Sequence, residues 1–313
     1  MHGLVIRNTG SWYTVLADDG TTWEAKVKGN FRLRGIRSTN PVAIGDRVGF
    51  LPQPDGTALI ADIEDRRNYV IRRATNLSKQ SHILAANIDQ CFLVVTLRSP
   101  ETPVTFIDRF LASAEAYRIP VVIVFNKTDL LADPDDAAFL QGMTDLYTTV
   151  GYDCRAVSAQ TGEGVESLRA LLQGKITLLS GNSGVGKSTL INRLFPTLRL
   201  RTAEISDAYD TGKHTTTFSE MYPVENEADA PRSFIIDTPG IKGFGTFDME
   251  PSEVGHYFKE IFRHAADCRF SNCTHTHEPG CAVLDAVHRH DISESRYHSY
   301  LSMLNDKDED RYR

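Results

Sequence analysis

The chain has 313 residues, 41% hydrophobic and 24% charged, with a formal net charge of −7. That length allows two or three domains, no apolar run approaches the ~18 residues of a membrane span, and residues 1–7 carry no secretory apolar region, so a cytoplasmic protein is expected. The acidic balance argues against indiscriminate nucleic-acid binding but leaves room for a local basic face.

Residues 1–72 read as a small all-β barrel. Alternating segments at 4–7, 12–16, 22–27, 47–50 and 58–63 are separated by turn signals such as Asp18-Asp19-Gly20 and Pro54-Asp55-Gly56. Five short strands in this length suit an OB-type barrel, a common platform for RNA. Residues 1–80 hold 12 Lys/Arg against 8 Asp/Glu, opposite to the chain as a whole. Lys26, Lys28, Arg32, Arg34 and Arg37 form the densest basic cluster, with Trp23 and Phe31 among them. They are the candidate RNA contacts, against the plainer reading of a solvated barrel face with core aromatics.

A basic connector, 66–73, leads into a second domain expected over 73–245. Strands at 91–95, 121–125, 152–157 and 176–179 alternate with helices near 104–117, 135–150 and 165–172, and 234–236 forms a further strand. This alternation predicts an α/β domain with a mainly parallel sheet covered on both faces. Asn126-Lys127-Thr128-Asp129 follows one strand directly, at the carboxyl end where such folds bind ligands. The Asp129 carboxylate can accept from guanine N1–H and its exocyclic amine, donors adenine does not offer in that arrangement. Asn126 would tie this loop to the phosphate loop, and the Lys127 stem would cover the ring. Ser158-Ala159, after the next strand, would add a backbone N–H for the guanine oxygen.

The stretch Gly181-Asn182-Ser183-Gly184-Val185-Gly186-Lys187-Ser188-Thr189 fits G-x-x-x-x-G-K-[ST] between a buried strand and a helix that Pro196 ends. Its backbone N–H groups would cradle phosphates, Lys187 would reach the β- and γ-phosphates, and Ser188 would ligate Mg²⁺. Downstream, Thr211-Gly212-Lys213-His214-Thr215-Thr216-Thr217 should supply a second Mg²⁺ hydroxyl, with Thr217 favoured over Thr216 by its distance from the next strand. Asp237-Thr238-Pro239-Gly240 would hold Mg²⁺ through water at Asp237 and meet the γ-phosphate at Gly240. Both segments read as nucleotide-sensing switches. Ile241 stands where Ras-like GTPases place their water-orienting glutamine, so the attacking water needs another group. His214 is the candidate, against a structural or RNA-contact role. The guanine motif precedes the phosphate loop, so the domain is circularly permuted.

Residues 246–313 read as helices around a Cys/His knot. Cys268, Cys273, His275 and Cys281 supply three thiolates and an imidazole, suited to one structural Zn²⁺, with His277 as a rival nitrogen ligand. Cys91 and Cys154 fall in strands and read as buried apolar fillers.

Carrying these motifs in this order, the chain resembles the ribosome small-subunit-dependent GTPase A family, RsgA or YjeQ, over nearly its whole length. The resemblance implies a bacterial cytoplasmic GTPase, binding GTP and GDP, that acts in late maturation of the 30S subunit and is stimulated by that subunit. The implied partners are the 30S subunit and its 16S rRNA, with no membrane or DNA partner and a monomeric state. The barrel begins almost at Met1, so the RNA contact made by the basic N-terminal extension of some members is not expected. Two other readings compete. An RNA-binding assembly scaffold would fill the nucleotide pocket with negligible turnover, and a P-loop ATPase or kinase is opposed by Asp129.

Overall fold

The computed structural model describes residues 1–27, 41–73, 81–198, 220–224, 232–237, 249 and 252–305. Among these, eleven strands form one continuous sheet that runs through the N-terminal and the central parts of the chain, joined where Arg7 pairs with Glu220. The N-terminal part is β1 (His2–Asn8), β2 (Tyr13–Ala17), β3 (Thr22–Val27), β4 (Arg47–Pro52) and β5 (Ala58–Ile63). The β1–β4 pairing closes these five into a barrel, with β3 and β5 parallel and the other pairs antiparallel. Alternate residues of β2 turn inward, so Tyr13, Val15 and Ala17 meet Phe50 and Ile60 in the barrel core. Trp23 is half-buried and packs its ring 6.1 Å from that of Phe50.

The segment read as a connector is not wholly irregular. Tyr69–Arg73 forms β6, paired antiparallel with β7 (Ser81–Ala86) in a separate two-stranded sheet. Its basic residues follow a short Tyr-Val-Ile stretch, of which Val70 is fully buried and Tyr69 exposed. The barrel is joined to this ribbon: the Ala86 N–H donates to the Ile44 carbonyl at 2.8 Å and the Asn87 amide to the Gly45 carbonyl at 2.9 Å.

The central unit alternates as expected: β8 (Gln90–Val95), α1 (Val104–Ala116), β9 (Val121–Phe125), α2 (Pro134–Val150), β10 (Asp153–Ala156), α3 (Val165–Leu172), β11 (Ile176–Ser180) and α4 (Lys187–Leu194). The strands β10, β9, β8, β11 and β13 (Ser233–Asp237) are parallel, and β12 (Glu220–Val224) adds antiparallel at one side. β8 is buried along its whole length. Its side chains alternate, Leu93 and Val95 into a core with Phe110 of α1 and Tyr147 of α2, Phe92 and Val94 into one with Leu168 of α3 and Leu190 of α4. A strand covered on both faces has no polar side to show, which is why it reads as an unbroken apolar run. Cys91 is fully buried, whereas Cys154 is only half-buried.

Helices α5 (Lys259–Ala265), α6 (Ala282–His288) and α7 (Glu294–Leu304) build a third core around Phe258, Ile261, Val283 and Tyr300, to which Ala112 of α1 also belongs. A buried ionic cluster pins this unit to the central one. Arg296 of α7 donates to Asp108 of α1 at 2.8 Å and to Glu260 of α5 at 2.7 and 3.0 Å. The Tyr147 hydroxyl adds a 2.8 Å bond to the same Asp108 oxygen. No helix among the described residues is long and apolar enough to cross a membrane.

Candidate nucleotide site and metal centre

The site is built at the carboxyl ends of β8, β9, β10 and β11, where chain emerges from the sheet free to form loops. The phosphate loop follows β11. Gly181 sits at φ +140°, and a Cβ there would lie 2.2 Å from the Val94 carbonyl oxygen; Gly186 sits at φ +91°, and a Cβ there would lie 2.5 Å from Asn126 Nδ2. Only glycine allows the loop to curl this tightly against β8 and the β9 loop. Val185 is the loop's buried anchor, while Ser183 and Gly184 are exposed. The Lys187 ammonium bends back over the loop, donating to the carbonyls of Gly181 and Asn182 at 2.7 and 2.8 Å. Ser188 and Thr189 follow in the first turn of α4, both half-buried.

Asn126 joins three loops. Its side chain is buried, its amide donates to the Val185 carbonyl at 2.8 Å, and its Oδ1 accepts from the Ala159 N–H at 3.0 Å. Of the two N–H groups that the sequence offers to a guanine oxygen, that of Ala159 is thus directed onto Asn126, and that of Ser158 donates to the Glu163 carbonyl at 2.9 Å. Lys127 adopts the left-handed conformation at φ 65°, which turns the chain into the single helical turn carrying Asp129. Asp129 is exposed and accepts from the Ser158 hydroxyl at 2.5 Å, and that hydroxyl oxygen accepts from the Thr161 N–H at 3.0 Å. Thr128 holds the turn through its N–H to the Val157 carbonyl at 3.2 Å. An exposed carboxylate fixed by a second-loop hydroxyl, beside a pre-curled phosphate loop, is a geometry for reading a purine edge while holding its phosphates.

Asp237 ends β13, adjacent to β11 in the sheet. His214, Thr217, Gly240 and the basic residues Lys28, Arg32, Arg34 and Arg37 lie outside the described residues. Lys26 is exposed on β3, with its ammonium 4.0 Å from the Trp12 ring centroid.

The four metal-ligating atoms of Cys268, Cys273, His275 and Cys281 lie within 4.8 Å of one another. Sγ of Cys268 and Cys281 are 3.9 Å apart, and His275 Nδ1 is 3.6 and 3.5 Å from them. A tetrahedral ion with Zn–S of about 2.3 Å and Zn–N of about 2.0–2.1 Å sets such pairs about 3.5–3.8 Å apart, so the donors fit. His277 is exposed, its Nδ1 is 2.8 Å from the Thr276 hydroxyl, and it is not in the set. Burial pushes the Cys273 thiol up to about 12 and lowers His275 below the usual imidazole value. Cys273 and His275 therefore favour their neutral forms until a cation replaces the thiol proton. Glu278 braces the loop between the ligands. Burial would raise its carboxyl, but hydrogen bonds from the Thr274 hydroxyl and N–H and the Thr276 N–H hold it well below the usual range. The Tyr297 and Tyr300 hydroxyls donate to the carbonyls of His275 and Thr274 at 2.7 and 2.6 Å, tying the knot to α7.

One part of the site has no motif to announce it. The loop after β8 reaches both nucleotide loops: the Lys127 ammonium donates to the Ser99 carbonyl, and Pro100 packs at Gly184. The available signal was its position after the carboxyl end of a buried parallel strand.

Residues 63–247 match the family described as RsgA GTPase, and residues 2–60 the family described as RsgA N-terminal domain. A small ribosomal subunit biogenesis GTPase RsgA of Bacteroides fragilis is 64% identical, covering 100% of this chain and 99% of its own. Its namesake from Porphyromonas gingivalis is 58% identical with the same coverage. Among solved structures, YjeQ from Thermotoga maritima superposes with a TM-score of 0.78 at 35% identity, over 97% of this chain and 96% of its own. YloQ, a circularly permuted GTPase, gives 0.74 at 27% identity, over 97% and 93%.

Proposed function

Since this chain belongs to the RsgA GTPase family, we propose that it binds GTP at this site and hydrolyses it in late maturation of the small ribosomal subunit, stimulated by that subunit. The observation that carries the reading is the buried Asn126 side chain, which locks the base loop, the Ser158-Ala159 loop and the phosphate loop into one body. Asp129 reads the guanine edge. Residues 181–189 hold the phosphates, with Gly240 at the γ-phosphate. Ser188, Thr217 and Asp237 hold Mg²⁺, which when bound offsets the charge developing between the β- and γ-phosphates. His214 orients or deprotonates the attacking water, a task Ile241 has no polar atom to perform.

The Cys268, Cys273, His275 and Cys281 set holds one structural Zn²⁺, and four protein donors leave no open position for chemistry. The barrel meets 16S rRNA with Lys26, Lys28, Arg32, Arg34 and Arg37. The domains run 1–72, 73–245 and 246–313, and the protein works as a cytoplasmic monomer. Co-sedimentation with purified small and large subunits, in GDP and in a non-hydrolysable GTP analogue, tests this. Pelleting with the small subunit in the GTP-analogue state, and less in GDP, is expected. Equal association with both subunits, independent of nucleotide, would overturn it.

A further inference from the structure

The loop between β8 and α1 is tied to itself and then to three other parts of the site. The Thr96 N–H donates to Thr102 Oγ1 at 3.1 Å, the Thr102 N–H returns to the Thr96 carbonyl at 2.8 Å, and the Thr96 hydroxyl reaches the Pro100 carbonyl at 2.5 Å. From this turn the Ser99 carbonyl accepts from the Lys127 ammonium, and Pro100 Cδ lies 3.3 Å from where a Cβ on Gly184 would sit. Arg98 then reaches across to α2. Its Nε donates to Asp136 Oδ1 and Oδ2 at 3.0 and 2.8 Å and its Nη2 to Oδ1 at 2.6 Å, a forked pairing. Asp136 stands in the first turn of α2, seven residues after Asp129 in the same outgoing segment.

We propose that Arg98 is a positioning residue for the guanine nucleotide: clamped to Asp136, it holds the loop so that the Ser99 carbonyl fixes Lys127 across the purine face. This rests on the guanine-nucleotide reading of the site. A lysine side chain is long and loses considerable rotamer entropy when held in one pose. An anchor for its ammonium lowers that cost at binding only if the anchor is itself fixed. The Ser99 carbonyl belongs to an exposed loop, and the Arg98–Asp136 fork is the link that carries the loop with the segment bearing Asp129. Arg98 is more than half exposed and Asp136 mostly covered. The pairing is thus surface-accessible and modest in strength, but its bidentate geometry is the kind that counts.

Release of a fluorescent GDP derivative from the full chain, followed by stopped flow, tests the idea. R98A and D136A are each expected to speed release about two- to fivefold, and the double variant no further, since both break one link. R98K should recover part of the loss by restoring one hydrogen bond without the fork. In a Lys127→Met background, Arg98→Ala should change release by less than about 1.5-fold, because the side chain it positions is gone. A merely structural role would persist in that background. Release within about 1.5-fold of wild type in R98A, or an undiminished R98A effect in Lys127→Met, would overturn the assignment. Failure of the wild-type chain to bind the probe would instead count against the site reading itself.

Discussion

Replacing Asn126 by alanine removes two buried hydrogen bonds at once and leaves the Val185 carbonyl and the Ala159 N–H without partners. A buried polar group stranded this way costs about 1–3 kcal/mol. With some relief from water entering the shortened side chain's space, about 2–4 kcal/mol is expected for the pair. The three loops separate when the bond network is lost, and binding nucleotide requires them together. The loss should therefore appear chiefly in affinity, as a rise in the GDP dissociation constant of roughly 30- to 700-fold. Asn126→Asp sharpens the test. The aspartate keeps an oxygen for the Ala159 N–H but turns a second oxygen toward the Val185 carbonyl, replacing a donor–acceptor contact with a repulsive one. It should be at least as damaging as alanine despite its matching shape. Isothermal titration with GDP, with thermal melting in the presence and absence of nucleotide, reads both. If N126A binds GDP within threefold of wild type and melts at the same temperature, the buried amide does not hold the site together.

Asp129→Asn should shift preference from GTP toward XTP, because an amide donor complements the xanthine C2 carbonyl and opposes guanine's donors; unchanged preference in competition binding would refute the base-reading role. One zinc per chain is expected by elemental analysis, lost or much reduced in Cys273→Ala, and full retention after replacing Cys268, Cys273 and Cys281 together would exclude this centre. Arg296→Met leaves Asp108 and Glu260 buried without their cation, which should cost about 3–5 kcal/mol in urea denaturation of the C-terminal unit; a loss below about 1 kcal/mol would show the cluster to be energetically idle. His214→Ala should leave GTP affinity nearly intact and remove most subunit-stimulated hydrolysis, and a stimulated kcat within threefold of wild type, about 0.7 kcal/mol, would exclude it as the catalytic group.

The phosphate loop and the guanine motif were legible because each depends on local residue types at fixed spacing beside a strand whose burial shows as an apolar run. The three cysteines of the metal set were legible for the same reason, but both His275 and His277 fall among them, and only the fold separates the two by turning His277 to solvent. Parallel strands with both faces covered gave a clear alternation with helices, and the barrel's strands showed through their period of two. What escaped was everything set by contacts distant in sequence. β6 is the exception, since it pairs with the next strand, β7, and reads as a basic linker because the charged residues of 66–73 outnumber the apolar ones. Arg296 looks like one more charge on a polar helix, and only tertiary packing shows it buried against Asp108, 188 positions away. The Ser99 carbonyl is a backbone atom and carries no residue signature at all. The backbone N–H at Ser158-Ala159 was read from the sequence, but the bond from Ala159 to Asn126 was not, because it follows from how two strand ends converge.

Single-turnover GTP hydrolysis, measured with and without purified small ribosomal subunits, tests most directly the claim that this is a GTPase stimulated by its ribosomal partner. Alone, the chain is predicted to turn over slowly, on the order of the ~10⁻⁴ s⁻¹ of unassisted Ras, and the small subunit should raise that rate at least about tenfold while the large subunit leaves it unchanged. Bound GTP that remains intact through many minutes with saturating small subunits would contradict the account and favour an assembly scaffold that holds nucleotide without consuming it.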